Sequence, residues 1–99
     1  MDQQAELKMT KQLYTLLAKT DDPKAIEQLL CDICTSKEVA YMAQRLECAR
    51  LLMAGETYET VIADTDISSA TLSRVSRCVH GGTGGYNKVF RTFLATVTD

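Results

Sequence analysis

The sequence predicts an all-α protein of about six helices, and three observations support this fold class. Pro23 is the single proline in a chain of 99 residues. Four of the five glycines fall within residues 81–85, so the rest of the chain contains few helix breakers. Apolar residues recur every three to four positions, which is the period of a helix, and no segment has a convincing strand pattern.

Length and composition limit what the chain can be. A chain of 99 residues predicts a single domain, 1–99. No apolar run approaches the roughly 18 residues that a membrane-spanning helix requires. The first residues, MDQQAELKMTKQ, have no signal-peptide pattern, so we expect a cytoplasmic protein without a membrane partner.

Two helices are predicted in the first third of the chain. The first covers residues 3–19, with Leu13, Leu16 and Leu17 on one face. The second begins after Asp21 or Asp22, because either can cap a helix and Pro23 suits its first turn. Its apolar stripe follows the i, i+3, i+4, i+7 spacing. The stripe consists of Ile26, Leu29, Leu30 and Ile33.

The third predicted helix is the longest. Thr35 and Glu38 form a capping box at its start, and Gly55 ends it. Its predicted apolar face comprises Val39, Met42, Leu46, Ala49 and Met53, widened by Ala40, Ala43 and Leu52.

Three shorter helices are predicted to follow. One covers 58–65 after a Thr57 cap, and a turn at 66–68 leads to another over 69–79. The GGTGG stretch separates this helix from a last one that begins at Tyr86. In the fourth helix Tyr58, Val61, Ile62 and Thr65 share one side. The predicted buried side of the last helix comprises Val89, Phe90, Phe93, Leu94 and Val97.

The charges are unevenly distributed, although the formal net charge is only −2. Residues 67–98 contain the cations Arg74, Arg77, Lys88 and Arg91 and no acidic residue. This distribution predicts a local positive surface that an anionic partner can use.

The helix over 69–79 is predicted to have two different sides. Thr71, Leu72, Val75, Cys78 and Val79 fall on one, and Ser69, Ala70, Ser73, Arg74, Arg77 and His80 on the other. Short side chains let a helix approach base edges, and arginines reach phosphates or guanine. The residues predicted to contact DNA are Ser68, Ser69, Ala70, Thr71, Ser73, Arg74 and Arg77.

A short helix, a tight turn and an outward-facing second helix predict a helix-turn-helix over about 58–79. The plainer interpretation is an exposed helical hairpin with solvated arginines. The lack of acid from 67 to 98 favours DNA binding over that interpretation.

An ordered set of motifs carries a family resemblance over about residues 36–90. The set contains Gln44-Arg45, Gly55 followed by Tyr58, ATLSRV at 70–75, and the glycine-rich loop that ends in Gly85-Tyr86. In this set the chain resembles the Trp-repressor superfamily, and within it the YerC/YecD-like branch. The resemblance implies an all-helical, intertwined homodimer that binds double-stranded DNA, with palindromic sites as the expected target.

The same resemblance implies an effector pocket at Arg45, Arg74, Val75 and Cys78. The two arginines match those that hold the corepressor in the Trp repressor. Val75 stands where that protein has a glycine, and Cys78 stands where it has a serine. We therefore expect the pocket to suit a small anionic effector and not L-tryptophan.

The chain departs from the family pattern at three points. Asp66 replaces the usual glycine of the turn, where aspartate tolerates left-handed geometry at some strain. Ile62 replaces a usual alanine, and the family's basic residue on the first helix of the pair is matched here by Glu59 or Ile62, so a phosphate contact is expected to be missing. Glu59 and Ile62 favour the alternative function, a helical, dimeric protein–protein interaction module that has lost operator binding.

Other chemistry has weaker support. The C-x-x-C at Cys31 and Cys34 has no second pair to complete a zinc site and no βαβ context for a redox site, and Cys48 and Cys78 are expected to be free thiols like them. GGTGG lacks the G-K-[ST] ending of a phosphate loop, and His80 has no nearby acid in sequence. We expect no enzyme activity, no metal and no cofactor.

Overall fold

The computed structural model describes the backbone of residues 1–97 and the side chains of residues 1–93. Over this range the chain forms six helices and no strand, which confirms the predicted fold class. The helices are α1 (Gln3–Lys19), α2 (Pro23–Ile33), α3 (Ser36–Met53), α4 (Tyr58–Thr65), α5 (Ser69–Gly81) and α6 (Gly85–Val97). In the described part of the chain, none of them has the length and apolarity that crossing a membrane requires.

The chain divides into two units, Met1–Val39 and the residues from Ala40 onward. None of the residues in the first unit is fully buried. Its α1 exposes 62% of Leu7 and 51% of Leu16, and α2 exposes 56% of Ile33. This unit therefore carries apolar helix faces without a hydrophobic core of its own.

The second unit has a compact hydrophobic core. The core side chains come from α3, α4, the α4–α5 turn and α5, and they are Cys48, Ala49, Leu51, Val61, Ile67, Leu72 and Val75. Leu52, Val79, Tyr86 and Phe90 pack against them while partly buried. Each fully buried aliphatic side chain in such a core stabilises the fold by roughly 1.5–3 kcal/mol.

Local sequence signals account for most helix ends. Asp22 caps α2 and Pro23 occupies its first turn, as predicted. The Thr35–Glu38 capping box is confirmed, because each side chain bonds the backbone N–H of the other, at 3.1 and 2.8 Å. These hydrogen bonds lower the pKa of the Glu38 carboxyl.

Gly55 ends α3 as predicted. Its φ of 87° lies in the left-handed region, and its N–H donates to the Leu52 carbonyl at 3.0 Å. The next N–H, that of Glu56, reaches back to the Leu51 carbonyl at 3.1 Å. This paired pattern is the Schellman termination of a helix.

Several predicted apolar faces are only partly confirmed for the chain taken by itself. In α3 the predicted Ala49 is in the core together with Cys48 and Leu51, whereas Met42 and Leu46 are each 46% exposed. The reason is that α4 and α5 pack on the Cys48 side of α3. Val89 and Phe93, which were predicted to be buried in α6, are exposed, and so are Ile33 of the α2 stripe and Tyr58 and Ile62 of α4. The side chains of Leu94 and Val97 lie outside the described residues.

Replacing Gly55 tests the left-handed helix end. We expect Gly55→Ala to lower the free energy of unfolding by about 1–2 kcal/mol, because an L side chain disfavours this backbone conformation even though space around it is open. Gly81→Ala is the matched control, since Gly81 is helical and also has open space. The control is expected to be neutral or slightly stabilising. Urea titration of both variants measures the difference, and equal unfolding free energies would contradict the assignment.

Candidate nucleic-acid interface

The face of α5 that points away from the core carries the predicted short and cationic side chains. Ser69, Ala70 and Ser73 are exposed along its first two turns. Arg74 and Arg77 are exposed further along the same helix. The opposite side of α5 holds Leu72 and Val75, which are only 1% and 2% exposed. The predicted division of this helix into a core side and a solvent side is confirmed at these positions.

Two assignments on the core side of α5 need correction. Cys78 was predicted to face the core but is exposed. Ser76 takes a buried position instead, with 8% of its surface exposed. Ser76 lies next to the apolar stripe and can be buried because its hydroxyl has a hydrogen-bond partner. That partner is the hydroxyl of Tyr58 in α4, at 2.7 Å.

Ser68 and Thr71 make the start of α5. The Ser68 hydroxyl accepts the backbone N–H of Thr71 at 3.2 Å and donates to the Thr71 hydroxyl at 2.9 Å. Ser68 is therefore the N-cap of the helix, and Thr71 is half-buried below it. Both belong to the predicted DNA-contact set, but in the structure their hydroxyls bond each other.

The turn between α4 and α5 combines an unusual backbone with a buried anchor. Asp66 has φ 59° and ψ 23°, the left-handed conformation that asparagine and aspartate tolerate better than most residues. The next residue, Ile67, is 2% exposed and belongs to the core. From α3, the Gln44 amide donates to the Thr65 carbonyl at 2.9 Å. The burial of Ile67 in the core and the hydrogen bond from Gln44 of α3 thus both fix the position of the turn.

A chain of polar groups connects α4 to α5 beyond the turn. The Tyr58 hydroxyl donates to the Ser76 hydroxyl, and the Nδ1 atom of His80 lies 2.8 Å from the Ser76 carbonyl oxygen. His80 was predicted as an exposed helix-end residue, and it is exposed in the last turn of α5. The burial of Ser76 was not predicted. Its only sequence signal was that a polar residue follows the apolar Val75 directly.

The charges of this surface are arranged as predicted for an anionic partner. Between residues 1 and 97 the salt bridges are Lys24–Glu27 and Arg50–Glu47, so neither cation of α5 is paired with a carboxylate there. By contrast, no Lys or Arg occurs from residue 51 to 73, and α4 carries the exposed Glu59. The cations that a phosphate could bind on this surface therefore lie on α5, and α4 contributes none.

A groove adjoins the far end of α5. Its volume is about 480 Å³, and its lining consists of Leu46, Cys78, Gly82, Thr83, Gly85, Tyr86 and Val89. Burial raises the pKa of the Tyr86 hydroxyl and the Cys78 thiol raises it further, whereas Arg45 and Arg74 act to lower it.

The predicted effector residues are only partly brought together. Cys78 lines the groove, but Val75 is in the hydrophobic core and does not line it. Arg45 lines a different, polar cavity of about 500 Å³ with Gln44, Asp66 and others near the start of α5.

Tyr86 lines the groove but was not predicted to do so, although the Gly-Tyr ending of the loop drew attention to it. Gly82 keeps the loop tight there, because a Cβ would lie 2.8 Å from the Cys78 carbonyl oxygen.

The cysteines and acids offer little else. Cys31 is exposed and Cys34 is half-buried at the end of α2. Burial raises the pKa of the Cys48 thiol in the core. Among the side chains that the structure describes, no three metal-ligating residues are grouped closely enough to hold an ion.

Comparison with known proteins gives a consistent result. The family model described as Trp repressor protein matches residues 8–94. The uncharacterized protein YerC of Bacillus subtilis (strain 168) is 35% identical over 88 residues, which are 89% of this chain and 85% of that protein.

Two crystal structures are similar over most of the chain. One is of a candidate Trp repressor from Staphylococcus aureus, with a TM-score of 0.83, 26% identity, and coverage of 93% of this chain and 94% of that one. The other is of a TrpR-like protein from Eubacterium eligens ATCC 27750, with a TM-score of 0.82, 32% identity, and coverage of 86% and 88%.

Proposed function

The chain belongs to the Trp repressor family, a family of helix-turn-helix regulators, and we propose that it is a sequence-specific DNA-binding repressor that acts as a homodimer. The observation that carries this proposal is the solvent face of α5. It presents short side chains and then two arginines that pair with no carboxylate among the side chains of residues 1–93, in a segment with no acid from 67 to 98. A helix of this kind can lie in the major groove close to the base edges.

The proposed contacts follow the order of residues along α5. Ser69, Ala70 and Ser73 face the base edges, where their small side chains permit close approach. Arg77 binds phosphate, and Arg74 binds phosphate or the acceptors of guanine. Ser68 and Thr71 contribute at the helix start, where backbone N–H groups favour an anion.

Homodimer formation is supported by apolar surface that the chain leaves in water. Leu7, Leu16 and Ile33 are more than half exposed in the first unit. A groove of about 470 Å³, lined mainly by apolar side chains of α2 and the start of α3 such as Ile26 and Val39, also lies open. A second copy would cover these side chains and supply the apolar burial that the first unit lacks on its own. Two copies would present two α5 helices to a palindromic DNA site.

A small anionic effector is proposed at Arg45, which lines the polar cavity near the start of α5. Arg74, the second arginine of the predicted effector set, is exposed on α5. L-tryptophan is not the proposed effector. Val75 stands where the Trp repressor has glycine and packs in the hydrophobic core, and the Cys78 thiol is a weak partner for an ammonium group.

One observation favours the second candidate function, an interaction module without operator binding. The outward surface of α4 carries Glu59 and the 37%-exposed Ile62, and no cation occurs from 51 to 73. Electrophoretic titration against genomic fragments at two salt concentrations separates the candidates. A regulator gives a specific shift that weakens as salt rises, whereas the interaction module gives no specific shift.

Replacing residues of α5 tests the docking of DNA. Arg77→Ala is expected to weaken binding to all sequences alike and to reduce the salt dependence of log K by about 0.9 for each lost phosphate contact, or roughly two units per dimer. Ser73→Ala is expected instead to change the preference between sites and to leave the slope unchanged. Fluorescence anisotropy across a salt series measures both effects.

The control for these variants is Lys24→Ala, which makes the same change of charge on α2. It should leave the salt slope within error of that of the unmodified protein. An unaltered slope in Arg77→Ala, with Lys24→Ala behaving the same way, would show that Arg77 does not bind phosphate.

Light scattering and thermal unfolding test the proposed homodimer. Light scattering at micromolar concentration should give twice the chain mass of 11.0 kDa. The thermal midpoint should also rise with protein concentration, because association stabilises only the folded state. A folded 11.0 kDa monomer with a concentration-independent midpoint would contradict the homodimer.

Calorimetric titration with L-tryptophan tests the effector proposal. We expect no binding tighter than about 1 mM, which corresponds to roughly −4 kcal/mol. DNA binding should accordingly be the same with and without added L-tryptophan. A micromolar dissociation constant would contradict the proposal that L-tryptophan is not the effector.

A further inference from the structure

We propose that Tyr58 is a positioning residue that sets the orientation of α5 through its hydrogen bond to Ser76. The proposal rests on the proposed DNA-binding function, because the orientation of α5 matters through the contacts that this helix makes. Tyr58 itself touches no base or phosphate in the proposed docking. Its effect passes through Ser76 to the neighbouring Ser73 and Arg77.

The bond closes a triangle between the two helices. Tyr58 is the first residue of α4, and Ser76 is the eighth residue of α5. Each therefore lies about 10 Å along its helix from the end that adjoins the turn, at 1.5 Å per residue. The turn joins the helices at one corner and the 2.7 Å bond joins them far from it. Two separated attachments fix an angle that one attachment leaves adjustable.

The remaining contacts between these helices are less directional. Val61 of α4 packs with Leu72 and Val75 of α5 in the core. Apolar packing depends mainly on the area removed from water, so it resists separation of the helices more than a small rotation. A hydrogen bond weakens steeply as its angle departs from linearity. Between residues 1 and 97, Tyr58–Ser76 is the side-chain hydrogen bond that joins α4 directly to α5.

Ser76 makes contacts through both its hydroxyl and its carbonyl. The Tyr58 hydroxyl donates to the Ser76 hydroxyl oxygen at 2.7 Å. A carbonyl oxygen can only accept, so the Nδ1 atom of His80, 2.8 Å from the Ser76 carbonyl oxygen, carries the proton of that contact. Ser76 is only 8% exposed, so its polar groups depend on partners within the protein.

The hydroxyl of Ser76 also differs from several threonine hydroxyls within helices. Those of Thr10, Thr15, Thr65 and Thr92 each donate to the carbonyl four residues earlier, which is the usual local solution. Ser76 is instead joined to a residue 18 positions away in sequence. This long-range bond is what links the two helices.

The experiment compares Tyr58→Phe, Ser76→Ala and the double variant in the full-length protein. Tyr58→Phe removes only the hydroxyl and keeps the ring, so the fold should be retained. Tyr14→Phe is the matched control, because it deletes the hydroxyl of an exposed tyrosine on α1. Residual dipolar couplings of the amides in α4 and α5 report the angle between the helices, and DNA titrations report its consequence.

We expect Tyr58→Phe to change the α4–α5 orientation and to weaken binding to a selected operator roughly 3- to 10-fold, the range that corresponds to one net hydrogen bond. Non-specific binding and the salt slope should not change, because no charge is lost. The double variant should be no weaker than Tyr58→Phe alone, since both substitutions remove the same bond. A role in stability alone would lower the unfolding midpoint and leave the specificity ratio intact.

Failure of this inference can be told apart from failure of the proposed function. If the unmodified protein binds no DNA, the proposed function is wrong, and the dipolar couplings still decide whether Tyr58 orients α5. Identical couplings in Tyr58→Phe and the unmodified protein would overturn the inference. So would an unchanged specificity ratio in a protein that does bind its operator.

Discussion

The burial of Ile67 inside the turn is the constraint on which the rest of the second unit depends. Asp66 must adopt a left-handed conformation so that the chain can reverse and insert the next side chain into the core. Ser68 can then cap α5 immediately afterwards. Because α5 begins where Ile67 is anchored, the apolar side of α5 faces the core and its short polar side faces solvent.

This constraint divides the electrostatic surface as well as the packing. The turn separates α4, which carries Glu59 and no cation, from α5, which carries Arg74 and Arg77 and no acid. A helix-turn-helix that uses both helices on phosphates would distribute its cations over both. Here the favourable field is concentrated on α5, so in the proposed function the affinity for DNA would depend on how well that single helix is oriented.

Local rules predicted most of the fold. The caps at Asp22, Thr35 and Thr57 were predicted from the sequence, because each depends on a few neighbouring residues. The solvent side of α5 was predicted for the same reason, since one helix determines it. The buried side of α3 was predicted only in part, because it depends on where α4 and α5 pack, and periodicity cannot distinguish between two apolar faces of one helix. The hydrogen bond between Tyr58 and Ser76 could not be predicted from local sequence patterns, because it joins two helices.

The two faces of α3 explain why its periodicity was misleading and what the helix does. One face contributes Cys48 and Leu51 to the core that holds α4 and α5. A second face of α3 leaves Met42 and Leu46 exposed to solvent. In the proposed homodimer this second face is available to the other copy, so a single rigid helix would connect the subunit interface to the core beneath α5. The distance between paired α5 helices would then be set by α3, while the tilt of each would be set within its own subunit by the turn and Tyr58. Spacing and tilt, which together decide whether two helices fit successive major grooves, would thus have separate structural origins.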